Sequence, residues 1–233
     1  MNSRKLLILT GAGVSAESGI PTFRGENGLW KNYKVEELAT PQAFEKDPET
    51  VWEWYRWRRN IIRKAKPNKS HEGIAFIEKI KKDFLLVTQN VDNLHRKAGS
   101  KKVIELHGNI FISKCIRCGE ITMEENKDGS FICSCGGLKR AGVVWFGEEL
   151  NSKDLDNAFS FAKKADTIIV IGTSAVVYPA AYLPYVVKRN KGKVIEINVE
   201  NSAISEISDI LIKEKASKVM DEIIKIIKRI KRR

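Results

Sequence analysis

A series of short apolar runs, each closed by a polar or glycine-rich turn, sets the frame of the chain. Leu6-Leu7-Ile8-Leu9-Thr10, Phe84-Leu85-Leu86-Val87-Thr88 and the segments 103–106, 167–171 and 194–197 are apolar without alternation. That is the pattern of strands covered on both faces in a parallel sheet. The segment 209–212 reads as one further strand. The stretches between them carry helical period. Asp47-Pro48 is a cap followed by proline at the first helical position, and it predicts a helix over 48–64. Val51, Trp54, Tyr55, Arg58 and Ile62 share one face of that helix, with an arginine in the middle of an otherwise apolar stripe. Ser70 is the expected cap of a second helix to about 82, with Ile74, Ile77 and Ile80 inward. Further helices are predicted over 154–164, over 179–188 with proline at the start, and from about 217. Strands alternating with helices predict a Rossmann-like, doubly wound parallel α/β sheet. One domain spanning 1–233 is expected. Its larger lobe comprises 1–30, 84–113 and 141–233. Its smaller lobe is made of a helical insertion, 31–83, and a cysteine-bearing insertion, 114–140.

Composition narrows the class. At 233 residues and 42% hydrophobic content the chain buries a full core. It has no apolar run of the length that spans a bilayer, so no membrane partner is expected. Arg4 and Lys5 before Leu6–Leu9 mimic a signal peptide, but Gly11 and Gly13 break the apolar stretch. The segment reads as a first strand, and the expected location is cytoplasmic. Lys and Arg number 41 against 29 acidic residues, a net charge of +12. This balance suits an anionic cofactor, an anionic substrate or nucleic acid, and equally a solvated lysine-rich surface. The basic end, 225–233, continues an amphipathic helix and reads as a solvated face, so nucleic acid is expected only through nonspecific charge. Abundant Lys, Glu and Ile suit a thermophile or a biased genome alike.

The candidate chemistry sits at the ends of the strands. Gly11-Ala12-Gly13-Val14-Ser15-Ala16 has the G-x-G-x-x-A form of a dinucleotide turn. Glycines there allow a tight turn and close approach of a phosphate. The small Ala16 admits the following helix, and the turn's amides face a diphosphate at the positive end of that helix. A plain tight turn is the other reading of so short a motif. A hydride-transferring dehydrogenase needs a second strand ending in a ribose-binding acid. Here Ser18-Gly19-Ile20-Pro21 cuts the helix, and a loop with Phe23 beside Arg24 follows. Such a loop suits a cover over a cofactor, with Arg24 by the phosphates and Phe23 over a ribose. Gln89, Asn90 and Asp92 offer two amides and a carboxylate, which match the donors and acceptor of a carboxamide. His107 precedes Gly108 at a strand end and is suited to general-base work, although a lone histidine there is also a structural residue. Gly172-Thr173-Ser174 follows a later strand and suits phosphate or ribose. Asn198 and Glu200 suit ribose hydroxyls. Cys115-x-x-Cys118 and Cys133-x-Cys135 form two close thiol pairs, which fits one structural tetrahedral zinc with no position left open. Two disulfides are the alternative, disfavoured in the cytoplasm. Tyr55 and Arg58, at i and i+3, share a helix face, and a guanidinium fork with a phenol beside it suits a carboxylate. A surface place for Arg58, among Arg56, Arg59 and Arg63, is the other reading. His95 reads as structural and His71 as a surface helix residue.

Taken together, these motifs resemble the sirtuins, the NAD-dependent protein deacylases. The resemblance runs through Gly11–Gly25, Thr88–His95, Leu106-His107-Gly108, the four cysteines, Gly142–Glu148, Gly172-Thr173-Ser174 and Ile197–Glu200, in family order over nearly the whole chain. It implies an enzyme that consumes NAD and frees lysine from its acyl group, giving nicotinamide and O-acyl-ADP-ribose. It makes His107 the base that deprotonates a ribose hydroxyl, Asn90 and Asp92 the nicotinamide site and Gln89 a ribose contact. It also counts Ala12, Ser15 and Trp30 as cofactor residues and places Ala216 by adenine, in a segment that lacks the glycine often seen there. Val144, Trp145 and Phe146 resemble the segment that pairs with an extended acyl-lysine peptide, which on its own reads equally as a buried strand. The Tyr55-x-x-Arg58 pair looks like that of the class III sirtuins, which remove succinyl and malonyl groups. Two departures stand out: the second thiol pair is C-x-C, with Ile132 where a cysteine is usual, and Ala141 replaces a common proline. A dehydrogenase and a zinc-containing nucleic-acid-binding protein are the remaining alternatives.

Overall fold

The computed structural model describes residues 5–23, 34–124 and 129–231. The apolar runs are strands as predicted. β1 (Lys5–Thr10), β2 (Asp83–Thr88), β3 (Val103–Glu105), β7 (Thr167–Ile171), β8 (Lys193–Asn198) and β9 (Ile210–Lys213) form a six-stranded sheet in the order β3-β2-β1-β7-β8-β9. Every neighbouring pair is parallel. The direction of winding reverses between β1 and β7, the point where open α/β sheets leave a crevice beyond the carboxyl ends of their strands. A second sheet is antiparallel, with β4 (Gly108–Cys115) between β5 (Ile121–Met123) and β6 (Lys139–Val143).

The helices are α1 (Gly13–Ala16), α2 (Val35–Leu38), α3 (Pro41–Lys46), α4 (Pro48–Lys64), α5 (Lys69–Ile80), α6 (Leu94–Lys97), α7 (Ser152–Ala162), α8 (Leu183–Arg189) and α9 (Ala216–Lys231). Asp47 caps α4 as predicted, accepting from the Thr50 amide at 3.0 Å. The cap of α5 is Asn68 rather than Ser70: its Oδ1 accepts from Ser70 N, and His71 Nδ1 accepts from Asn68 N. A single turn of 3-10 helix, Ala180–Tyr182, precedes α8 where one continuous helix was expected. Among the described residues no helix is long and apolar enough to cross a membrane.

Three apolar clusters hold these layers. Leu6, Ile8, Leu86 and Ile171 pack against Ile74 and Ile77 of α5 and Met220 of α9 on one face of the large sheet. Leu7, Leu9, Val87 and Val170 pack against α7 and α8 on the other. The third cluster joins α3 and α4 to the small sheet through Phe44, Val51, Trp54, Ile62, Ile110, Phe111 and Val143. α5 belongs with the large sheet, because Ile74 and Ile77 find their apolar partners there, and β4 belongs with the small one, because it pairs with β5 and β6.

Candidate active site

A cavity of about 820 Å³ opens at the carboxyl ends of the strands, between the large sheet and the small sheet with α4. The loops after β1, β2, β3, β7 and β8 bring Gly11, Gln89, Asn90, His107, Thr173, Asn198 and Glu200 to it, from positions far apart in the chain. Ala12, Gly13, Phe23, Gly172 and Ser174 also line it, as do Tyr55, Arg58, Val144, Trp145 and Phe146. Arg24 and Trp30 lie outside the described residues. Cavity residues not singled out from the sequence include Thr22 and Val199, which lie inside quoted motifs, and Tyr178 and Asn201, which only follow one.

The glycine turn is built for packing. The amides of Gly11 and Gly13 donate to Ile171 O and Gly172 O, at 3.0 and 2.8 Å. Those of Val14 and Ser15 donate to Gly11 O and Ala12 O. These four amides bond within the chain, while Gly11, Ala12 and Gly13 line the cavity. A Cβ on Gly13 would stand 2.8 Å from Gly172 Cα, so the loops after β1 and β7 touch backbone to backbone. α1 has only four residues, and Ala16, its last, is exposed. Ala216 is buried in the apolar cluster under the large sheet and is not among the cavity's lining residues.

His107 lines the cavity, and its Nδ1 lies 3.1 Å from the Gln89 carbonyl oxygen. A carbonyl only accepts, so Nδ1 carries the proton and Nε2 keeps its lone pair. Burial holds the imidazole below its ordinary pKa, against the opposing pull of the Gln89 hydrogen bond. His107 turns into β4 through Gly108, at φ +80°, where a Cβ would meet Gly142 O at 2.2 Å. Only glycine fits that corner.

Ser15 and Asp92 stand behind Asn90. Ser15 Oγ donates to Asp92 Oδ2 at 2.6 Å and accepts from Asn90 Nδ2 at 3.2 Å, while Asp92 Oδ1 accepts from Leu94 N at 2.9 Å. Gln89 Nε2 donates to Thr173 Oγ1 at 3.1 Å and so links the two halves of the sheet. His71 corrects its expected surface place: it is 0% exposed, with Nε2 3.3 Å from Ser15 Oγ. The Ser15 proton is committed to Asp92, so His71 donates from Nε2, and its Nδ1 accepts from Asn68 N at 3.2 Å. The capping-box spacing from Asn68 to His71 was the signal for this in the sequence. His95 is buried as expected and bonds Thr10 Oγ1 through Nε2 at 2.9 Å, its ring 4.9 Å from that of His71.

The two neutral rings carry a stability consequence. Burial lowers His71 to about 4 and moves His95 in the same direction. The unfolded chain takes up a proton near 6.5 and the folded chain does not, so stability is full above about 6.5 and falls as pH drops toward 4. Both rings contribute to that fall, since each is neutral and desolvated in the folded chain. Guanidinium unfolding at pH 7 and at pH 4.5 measures it, and His71→Asn is expected to flatten the slope. Equal slopes in the variant and the parent would refute this assignment.

At the other end of the cavity Arg58 is 6% exposed, its guanidinium 4.7 Å from the ring centre of Phe23 and 5.1 Å from that of Trp54. Desolvation lowers its pKa, opposed by Tyr55 and Asp92. Both Asp92 oxygens are taken by Ser15 and Leu94, and among the described residues no carboxylate pairs with Arg58. Tyr55 accepts from Trp145 Nε1 at 2.9 Å, and burial pushes its phenol up to about 12. Glu148 receives Arg140 through both its oxygens and also accepts from Trp145 N, which fixes the 145–148 turn. The amides of Val144 and Phe146 donate to His107 O and Ala39 O, so this stretch is braced within the chain as well as lining the cavity.

The four cysteine sulfurs meet at one point, each within 4.8 Å of the others, with Cys115–Cys135 at 3.6 Å and Cys118–Cys133 at 3.7 Å. A tetrahedral zinc with bonds of about 2.3 Å needs sulfur separations of about 3.8 Å. The shortened C-x-C pair therefore still converges. The amides of Cys118 and Arg117 bring the Cys115 thiol down to about 6, as suits a metal ligand, while Glu120 holds the Cys133 proton and raises that thiol to about 12.

Comparison with known proteins agrees with this arrangement. The Sir2 family model matches residues 11–179. An NAD-dependent protein deacylase of Thermococcus kodakarensis is 52% identical, over 97% of this chain and 92% of that protein. The fold superposes on a Sir2 homologue solved with ADP-ribose, with a TM-score of 0.94 and 48% identity, over 98% of this chain and 93% of that one. It also matches a Sir2–p53 peptide–NAD+ structure, with a TM-score of 0.85 and 33% identity, over 96% and 93% of the two chains. On the family match and these identities, the chain belongs to the Sir2 family.

Proposed function

We propose that this protein is an NAD-dependent protein-lysine deacylase whose cavity accepts acidic acyl groups, succinyl and malonyl, as well as acetyl. The curated relative's name and the NAD and peptide complexes of its structural neighbours support the reaction class. The observation that carries the acyl preference is Arg58: a buried guanidinium among aromatic rings, on the wall of the cavity that holds His107.

NAD, when bound, supplies an electrophilic ribose carbon and a nicotinamide leaving group. The chain's part is to position and to move protons. Asn90, held by Ser15, which Asp92 holds in turn, presents a fixed carboxamide to the nicotinamide amide. His107 accepts a ribose hydroxyl proton at Nε2, its ring held by the Gln89 carbonyl. Tyr55 and Trp145 wall the acyl chain, and Arg58 meets a terminal carboxylate with its planar fork. The apolar wall excludes water, which strengthens each fixed dipole near the reacting atoms. The four cysteines would hold a structural zinc with all four of its positions taken. Thiols gathered for a metal suit a reducing compartment, which favours the cytoplasm. The basic surface gives nucleic acid nonspecific attraction only.

Paired peptides, one succinylated and one acetylated on the same lysine, test the preference. Arg58→Met is expected to weaken desuccinylation by ~2–5 kcal/mol in transition-state terms and to spare deacetylation. Parallel loss of both activities would remove Arg58 from the acyl site.

A further inference from the structure

Helix α4 carries two neighbouring arginines with opposite allegiances. Arg58 faces the cavity, and Arg59, fully buried, faces the small sheet. Arg59 Nε donates to Ile110 O at 2.7 Å, and Nη2 donates to Ile112 O at 3.1 Å and Ser113 Oγ at 3.0 Å. Nη1 pairs with Glu124 Oε2 at 2.7 Å, and Ser113 Oγ donates to the same oxygen at 2.5 Å. Arg63 Nη2 adds a bond to Glu124 O at 3.1 Å. Glu124 directly follows β5, and the gripped strand, β4, begins beside His107 and ends on Cys115. The pair thus ties α4 to the strand that joins the candidate base to the thiol cluster.

Stability alone is a poor explanation for this pair. Two charges taken out of water cost much of what their attraction returns, and a well-packed apolar replacement is often as stable. What the guanidinium adds is direction. Bonds to residues 110, 112 and 113 fix the rotation of α4 and its register along β4. Successive helix residues are offset by about 100°, so holding Arg59 on the sheet aims Arg58 into the cavity.

We propose that the Arg59–Glu124 clamp is a positioning element for the acyl end of the cavity. It sets where Arg58 and Tyr55 stand, and through them the preference for an acidic acyl group; in this it rests on the reading of Arg58 given above. The test compares the wild type, Glu124→Gln, which keeps an acceptor for Arg59, and the double replacement Arg59→Met with Glu124→Leu, which leaves no buried charge unpaired. Activity on succinyl- and acetyl-lysine forms of one peptide is measured alongside amide hydrogen exchange over residues 51–62. The double variant is expected to lose about tenfold or more in its succinyl-to-acetyl ratio and to exchange faster in α4 than the wild type, with α5 unchanged. Glu124→Gln is expected to keep most of both. If the double variant does not fold, Glu124→Asp, which keeps the charge and shortens its reach, takes its place. A folded variant with the wild-type ratio and wild-type exchange in α4 would overturn the proposal. A wild-type enzyme that removes acetyl and leaves succinyl overturns the Arg58 reading instead, and the exchange data then decide the positioning role by themselves.

Discussion

Replacing His107 with alanine is expected to lower turnover of an acylated peptide by ~10²–10⁴-fold, the range that loss of a positioned general base commonly causes. The expectation follows from one hydrogen bond. With Nδ1–H held by the Gln89 carbonyl, Nε2 is the basic atom, and burial keeps the ring in its neutral form near pH 7. The base must be unprotonated to act, so the rate should rise with pH through the His107 pKa and then level off. Because that pKa is lowered, the rising limb should lie on the acid side of about 6.5. Alanine also strips the Gln89 carbonyl of its donor, which confuses two effects. His107→Asn separates them, since its amide can still donate to Gln89 O but cannot take a proton. Steady-state rates across pH, with NAD affinity measured by calorimetry, decide the matter. Asparagine should bind NAD and turn over as slowly as alanine. An asparagine variant near wild-type turnover would mean that His107 only braces the loop.

The parts of this site that were readable in the sequence are those whose neighbours in sequence are also their neighbours in space. Leu6–Leu9 and 167–171 read as buried parallel strands because both of their faces are covered and their apolar runs are unbroken. Their ends deliver the ligand loops by the geometry of the sheet, which is why Gly11, Gln89, His107, Gly172 and Asn198 read from the sequence as strand-end residues. Tyr55 and Arg58 were paired by helical spacing. The residues misjudged are those whose surroundings come from distant segments. His71 sits beside Ser70 and looks like a surface residue of its helix, yet Ser15 and His95 close over it. Arg59 is one of several arginines on α4, and nothing near it in sequence announces Glu124, 65 residues on. The acceptors of the Gly11 and Gly13 amides, Ile171 O and Gly172 O, are likewise distant in sequence, at the end of β7 and in the turn after it. By contrast, the early end of α1 at Ala16 was legible from the adjacent Ser18-Gly19-Ile20-Pro21.

Removing the metal is expected to be the most destructive perturbation available without touching the cavity. The outer end of the small sheet has little apolar burial: Ile116, Ile121, Met123 and Ile132 are all at least half exposed, and beside the four sulfurs the cysteine loops are joined by polar contacts such as Arg117 Nη1 to Cys135 O at 2.8 Å and Lys139 to Glu120 at 3.6 Å. In modules of this kind, metal binding supplies much of the folding free energy, ~10–16 kcal/mol in isolated zinc-finger peptides. Cys115 is the critical ligand because it ends β4, the strand that starts beside His107 and that Arg59 grips. Cys115→Ser is therefore expected to cost more than about 4 kcal/mol, beyond the ordinary range for a point mutation. The loss should appear first as fast hydrogen exchange over 108–143, while β1, β7 and β8 stay protected. Metal analysis of protein purified without added zinc gives the direct check, with one zinc per chain expected. A content well below one, in protein whose small sheet stays protected, would show that the C-x-C pair holds this sheet together without a metal.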